Sequence, residues 1–134
     1  IRSITLVPTL LQLILEEPGL SRCRSLKEIV SFGEMLSPRI HRDLFAKTGA
    51  SLTIVYGATE APSATSWTAA ADSPARPSAV GYINAGRRLY ILDADLQPMP
   101  QGVTGEIFIG GLLSRGYAGR AAFTAATTPP AVAP

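Results

Sequence analysis

The chain has 134 residues, enough for one modest hydrophobic core and for one domain at most. Its composition, 46% hydrophobic and 16% charged with a net charge of +2, is that of a globular sequence, and the basic side chains lie scattered among carboxylates with no stripe for nucleic acid. Cys23 is the only cysteine, which excludes an intrachain disulfide and a cysteine-built zinc site and points to a reducing, cytoplasmic setting, and no apolar run approaches the roughly 20 residues of a membrane span.

Ile1-Arg2-Ser3-Ile4 enters an apolar run directly, with neither an initiator methionine nor signal-peptide architecture, as a segment of a longer protein would. Pro8-Thr9 then opens a helix predicted to run to Glu16. Leu10, Leu11, Leu13, Ile14 and Leu15 make it apolar nearly all round, so deep burial is expected. Pro18-Gly19 stops it. Leu26, Ile29, Val30 and Phe32 read as a strand buried on both faces. Ser37-Pro38 starts a second helix, with Ser as N-cap and Pro at the first helical position. Ile40, Leu44 and Phe45 supply its apolar face, and Gly49 ends it.

Residues 52–55 make a second buried strand. Strand, helix and strand of these lengths predict a βαβ unit with a parallel sheet over about residues 28–56. Such sheets bind ligands at the carboxyl ends of their strands, where Phe32-Gly33-Glu34 and Tyr56-Gly57 fall. Residues 61–79, rich in Ala, Ser, Thr and Pro around Trp67, read as a long loop or a ragged strand with loop. Beyond them, residues 89–93 and 106–109 flank a turn-rich segment and predict an antiparallel or mixed β part. Residues 121–134 are Ala/Thr/Pro low-complexity sequence and are expected to be disordered. The fold class expected is α/β, a parallel βαβ part with a smaller β-rich part.

Tyr56-Gly57-Ala58-Thr59-Glu60 is the stretch richest in chemistry. A strand ending in a glycine turn presents an aromatic face, a hydroxyl and a carboxylate, which suit a base, a phosphate and a hard divalent cation held partly by substrate phosphates. Taken alone, Thr-Glu after a glycine turn reads more often as a helix start with an acidic first turn. Four other stretches stand in order with it. They are Leu6-Val7-Pro8-Thr9-Leu10-Leu11, Ser31-Phe32-Gly33-Glu34, Gly105-Glu106-Ile107-Phe108-Ile109-Gly110-Gly111 and Arg115-Gly116-Tyr117. Together they resemble the V-P-[ST]-x-[LM], S-G-E, Y-G-P-T-E, G-E-[LI]-x-[IV]-x-G and A-R-G-Y segments of the adenylation domains of nonribosomal peptide synthetases, within the adenylate-forming superfamily.

That resemblance implies a partial AMP-binding domain over residues 1–120, from the large N-terminal domain of the adenylate-forming fold, followed by the 121–134 tail. It implies formation of an aminoacyl adenylate from ATP and an amino acid, with Mg²⁺, and transfer to a phosphopantetheine arm on a carrier domain beside condensation domains. Carried over residue by residue, Glu60 holds Mg²⁺ and Thr59 hydrogen-bonds phosphate. Tyr56 stacks on adenine, with Gly33 and Gly57 at the cofactor. Thr5, Val30, Phe32, Val55, Ser63 and Ala64 line the amino-acid pocket. No acid or base is among these six, so an apolar or small polar substrate side chain is favoured, and the Phe32 ring stands where the family has a small residue and should shorten the pocket.

The sequence also departs from the family. Ala58 replaces the motif proline, Ile83 stands at another proline position, and the connection through Gly111-Leu112-Leu113-Ser114 is about one residue short. The phosphate loop, the ribose-binding Asp and the catalytic Lys of the family are not among these residues, so the segment by itself is expected to be inactive. After Arg120 the family pattern dissolves, as in a truncated or frame-shifted product. An acyl- or aryl-CoA ligase relative and a non-catalytic remnant therefore stay open. His41 reads as a solvated helical side chain, Glu106 as structural, and Cys23 as an exposed or packed thiol without a function.

Overall fold

The computed structural model describes residues 1–72 and 79–127. They form two compact units. The described residues of Ile1–Tyr56 and Thr65–Tyr82 make the first, and those of Gly57–Ala64 and Ile83–Pro134 make the second.

In the first unit, strand β1 (Ser3–Leu6) leads into helix α1 (Pro8–Glu16), with Pro8 at its first position. Val7, at the N-cap, offers no side-chain cap. The Glu34 carboxylate takes that place from a distant loop, accepting from the Thr9 N–H at 3.2 Å and from the Thr9 hydroxyl at 2.7 Å. A negative charge there also meets the positive end of the helix dipole. Strand β2 (Glu28–Phe32), helix α2 (Pro38–Lys47) and strand β3 (Ser51–Tyr56) follow. Ser37 caps α2 as expected, its hydroxyl oxygen accepting from the Ile40 N–H at 3.3 Å.

Strands β1, β2 and β3 are parallel neighbours, and β4 (Thr65–Ala69) pairs antiparallel with β3, Ile54 opposite Trp67. The sheet runs β1-β2-β3-β4-β5, with β5 (Tyr82–Ile83) at its edge. The βαβ unit expected over 28–56 is present, and β4 occupies part of the stretch read as loop or ragged strand. Residues 73–78 of that stretch lie outside the described residues.

Both crossovers, β1 to β2 and β2 to β3, step across the sheet in the same direction. Crossovers of one hand stepping the same way put their helices on the same face. The core follows: Leu11 and Leu15 of α1, Ile40 and Leu44 of α2, and Ile29, Leu52 and Ala69 of the strands, with Ile4, Leu6, Ile54 and Trp67 packed against them. All these strand residues share one parity and hence one face. Two expectations are corrected by this. Helix α1 is not buried all round, since Leu10 and Leu13 are 49% and 57% exposed. Strand β2 is buried on one face only, and Phe32 on the other is 45% exposed. This unit supplies a helical layer to only one side of the sheet.

His41 corrects a third expectation. It is buried, edge-on to the Phe45 ring at 5.0 Å, and its Nε2 has no hydrogen-bond partner. The stripe Ile40, His41, Leu44, Phe45 is wide enough on a 3.6-residue helix to carry the imidazole inward.

The second unit contains a two-stranded antiparallel ribbon of β6 (Arg87–Leu92) and β7 (Glu106–Gly111), with Leu89 opposite Ile109 and Ile91 opposite Ile107. Asp93 organises the turn after β6, its Oδ1 accepting from the N–H groups of Asp95 and Gln97 at 2.9 and 2.8 Å. Helix α3 (Ala121–Thr127) occupies the start of the segment expected to be disordered, and residues 128–134 lie outside the described residues. No helix among the described residues is long and apolar enough to cross a membrane.

Candidate nucleotide and metal site

In the first unit Phe32 pairs with Val55, so β2 and β3 end side by side at their carboxyl ends. Gly33, directly after β2, has φ +85°, a conformation that glycine adopts without steric cost. Phe32 and Tyr56 thus lie at one end of the sheet, the end where open parallel sheets take ligands. Thr5 pairs with Val30. Alternation puts Thr5, Val30, Phe32 and Val55 on the helix-free face, in two registered rows: Thr5-Val30-Thr53 and Phe32-Val55-Ser66. Four of the six pocket residues named from the sequence are therefore brought together. Tyr56 has the opposite parity and is half-buried.

Ser63 and Ala64 belong to the second unit. Ala64 is buried, and its carbonyl accepts from the Asn84 N–H at 3.0 Å. Ser63 is exposed at φ +53°, and its carbonyl accepts from Asn84 Nδ2 at 2.9 Å.

The loop Gly57–Ala64 is a tight reversal. Ala58 and Ala61 exchange backbone hydrogen bonds at 3.1 and 3.3 Å. A Cβ on Gly57 would sit 2.6 Å from the Ala61 carbonyl oxygen and 2.7 Å from the Ser63 nitrogen. Gly57 is therefore required by the loop folding back on itself. No helix follows Glu60, which removes the helix-start reading of Thr59-Glu60.

Two groups hold this loop from the segment after β7. Ser114 donates its hydroxyl to the Thr59 carbonyl at 2.8 Å and its N–H to the Glu60 carbonyl at 2.7 Å. The Tyr117 hydroxyl donates to Glu60 Oε1 at 2.7 Å. This bond holds the Glu60 carboxyl below the usual carboxylate range, helped by a backbone hydrogen bond of Glu60 itself and opposed by desolvation. The same bond raises the Tyr117 phenol. Glu60 is thus ionised at neutral pH. The Thr59 hydroxyl is exposed and takes part in no hydrogen bond among the described residues.

No cluster of three or more His, Cys, Asp or Glu among the described residues is placed to hold a metal. A dedicated all-protein cage is therefore absent from them. One ionised carboxylate beside a free hydroxyl fits the other arrangement, in which Mg²⁺ is held by one or two carboxylates and completed by substrate phosphates and water.

Sequence reasoning missed Ser114 and Tyr117 as partners of this loop. Arg115-Gly116-Tyr117 was visible as a motif, but nothing local marks a tyrosine as the partner of a glutamate 57 residues away. It also missed that Thr9 and Glu34, from two separate motifs, are joined as a helix cap.

A family model described as "AMP-binding enzyme" matches residues 1–118. The chain is 38% identical over 128 residues to phosphinothricin tripeptide synthetase PhsB of Streptomyces viridochromogenes, covering 93% of this chain and 11% of that one. It is 35% identical over 129 residues to tyrocidine synthase 3 of Brevibacillus parabrevis, covering 95% of this chain and 2% of that one. Among solved structures it is similar to the ATP-bound RpMatB-BxBclM chimera B3, at 27% identity and a TM-score of 0.75, over 93% of this chain and 25% of the chimera. The chain thus spans a small part of the length of each of these proteins.

Proposed function

The chain belongs to the AMP-binding enzyme family, and we propose that it forms part of an amino-acid-activating adenylation domain of a nonribosomal peptide synthetase. In that reaction a carboxylate oxygen of the amino acid attacks the α-phosphorus of ATP. The bond from that phosphorus to the bridging oxygen breaks, pyrophosphate leaves with the electron pair, and an aminoacyl adenylate remains. The thiol of a phosphopantetheine arm on a carrier domain then attacks the acyl carbonyl carbon. The C–S bond forms as the C–O bond to the phosphate breaks, AMP leaves with the electron pair and the thiol proton is lost, with condensation domains as further partners, in the cytoplasm. The observation that carries this reading is the ionised Glu60 carboxylate, fixed by Tyr117 in a loop pinned at Thr59 and Glu60 by Ser114.

Charge develops on phosphate oxygens during such an in-line displacement, so catalysis rests on positioning and electrostatics more than on a protein nucleophile. A Mg²⁺ ion held by Glu60 and the phosphates would supply neutralisation of that charge. The exposed Thr59 hydroxyl is suited to donate to a phosphate oxygen. Tyr56 offers a ring for adenine at the end of β3, with Gly33 and Gly57 shaping the two turns at the nucleotide. The residues proposed for amino-acid binding are Thr5, Val30, Phe32 and Val55 on the helix-free face of the first unit, and Ser63 and Ala64 in the second. None of these six carries a charge to offer a substrate side chain, and the Phe32 ring fills space on its face of the sheet.

The test is Glu60→Gln in an intact adenylation domain carrying this segment, assayed by amino-acid-dependent ATP–pyrophosphate exchange across a range of Mg²⁺. A neutral amide is a poor ligand for a hard cation. Exchange is expected to fall by about a hundredfold, the scale of losing one preorganised electrostatic contact, with the fold unchanged by circular dichroism. Near wild-type exchange at limiting Mg²⁺ would remove Glu60 from the site.

A further inference from the structure

The loop Gly57–Ala64 carries one carboxylate, Glu60, and a lone glutamate on a loop has several staggered rotamers within reach. What selects one of them here lies outside the loop. We propose that Tyr117 is a positioning residue for the metal site, its hydroxyl fixing Glu60 Oε1 so that the carboxylate is aimed before any ligand arrives. This rests on the reading of Glu60 as the Mg²⁺ ligand.

Three features show that Tyr117 is itself held. Its N–H donates to the Thr124 hydroxyl at 2.9 Å, and that hydroxyl donates to the Arg120 carbonyl at 3.1 Å, so the tyrosine backbone is tied to the first turn of α3. Its ring packs edge-on to Phe123, with centroids 4.8 Å apart and planes at 77°. The preceding Gly116 has φ +120°, and any Cβ there would lie 2.8 Å from the Thr124 hydroxyl oxygen. A larger residue at 116 would therefore push the tyrosine off its anchor. The hydroxyl that reaches Glu60 is the far end of a side chain whose ring and backbone are both braced, which is what a rigid support for a ligand requires. Ser114 divides the work differently, since it binds only backbone carbonyls and fixes the loop's path.

The division of labour sets the test. Tyr117→Phe removes the hydroxyl and keeps the ring on Phe123. In the intact adenylation domain carrying this segment, the Mg²⁺ concentration for half-maximal exchange should rise by roughly ten- to a hundredfold, as for other supports of metal ligands. The KM for the amino acid should not change. In the metal-free protein at neutral pH, the ¹³C carboxyl signal of Glu60 should move to the position of a solvated glutamate. Hydrogen exchange of the amides of residues 57–64 should stay as slow as in the wild type, because Ser114 still holds their backbone. A variant with unchanged Mg²⁺ requirement and unchanged carboxyl signal would overturn the proposal, even where Glu60→Gln abolishes exchange. Faster exchange across 57–64 would also overturn it, because Tyr117 would then be a strut for the loop rather than a guide for the carboxylate. If Glu60→Gln itself leaves Mg²⁺ dependence untouched while Tyr117→Phe moves the carboxyl signal, the hydrogen bond stands and the metal reading of Glu60 falls.

Discussion

The two units differ in what holds them. The core cluster lies wholly in the first, on one face of its sheet against α1 and α2. In the second, Ala61, Ala64 and Leu92 are the hydrophobic residues buried among those described. Its loop Gly57–Ala64 is instead held by hydrogen bonds from Ser114 and Tyr117 and by a glycine with no room for a Cβ. Apolar burial is non-directional and scales with area, so it tolerates small displacements. Hydrogen bonds to a carboxylate or carbonyl are directional and fail over a fraction of an ångström. The apolar core and the loop that carries Glu60 are therefore held by different kinds of interaction.

The sharpest way to break that contrast is to empty the core. Leu44 is fully buried between α2 and the sheet. Leu44→Ala should cost about 2–5 kcal/mol of stability in urea unfolding, the range for a buried leucine whose cavity does not collapse. Loss of less than about 1 kcal/mol would mean that the first unit does not depend on this core. The matching change in the second unit is Gly57→Ala, which adds a methyl against the Ala61 carbonyl. It should cost about 1–3 kcal/mol, by overpacking rather than by a cavity. Its effect on hydrogen exchange should be confined to the amides around 57–64. If it also loosens α1 and α2, the two units are not held independently.

His41 sharpens the comparison through pH. Burial, then the Arg42 charge, lowers its pKa below the ordinary value of 6.5. A base whose folded pKa is depressed contributes stability that is fully present above its unfolded pKa and is lost as pH falls through the folded one. The first unit should lose stability as pH drops below about 6.5, and His41→Leu should flatten that dependence, read by thermal unfolding at stepped pH. An unchanged slope would place the imidazole in water. The smallest expected effect on stability is that of Phe32→Ala, within about 0.5 kcal/mol, because the ring is half exposed. Its effect should fall on substrate choice, enlarging the pocket and shifting preference toward larger side chains in exchange assays, with Mg²⁺ dependence unchanged. An unaltered amino-acid profile would take Phe32 off the pocket wall.

Much of the first unit was legible because its signals are local. Pro8 and Ser37-Pro38 mark two helix starts, and the runs 28–32 and 51–56 are too short and too apolar to be surface helices. The ends of β2 and β3, with Phe32 beside Val55, follow from that pattern once the sheet is parallel. Less of the second unit was legible. Residues 121–127 show no apolar periodicity, yet they form α3, whose Thr124 and Phe123 hold Tyr117.

By itself, then, the amino-acid sequence determined the βαβ connection, its caps and turns, and the ordered motifs that mark the family, since periodicity, proline and glycine act within a few residues of where they stand. The tertiary structure alone decided three things. It decided which face of the sheet is covered, because the same apolar alternation serves either side until both crossovers turn the same way. It drew His41 inward, because a helical stripe widens only against a partner surface. It joined Glu60 to Tyr117 across 57 residues, because a directional bond between two side chains exists only after the backbone that carries both has been fixed.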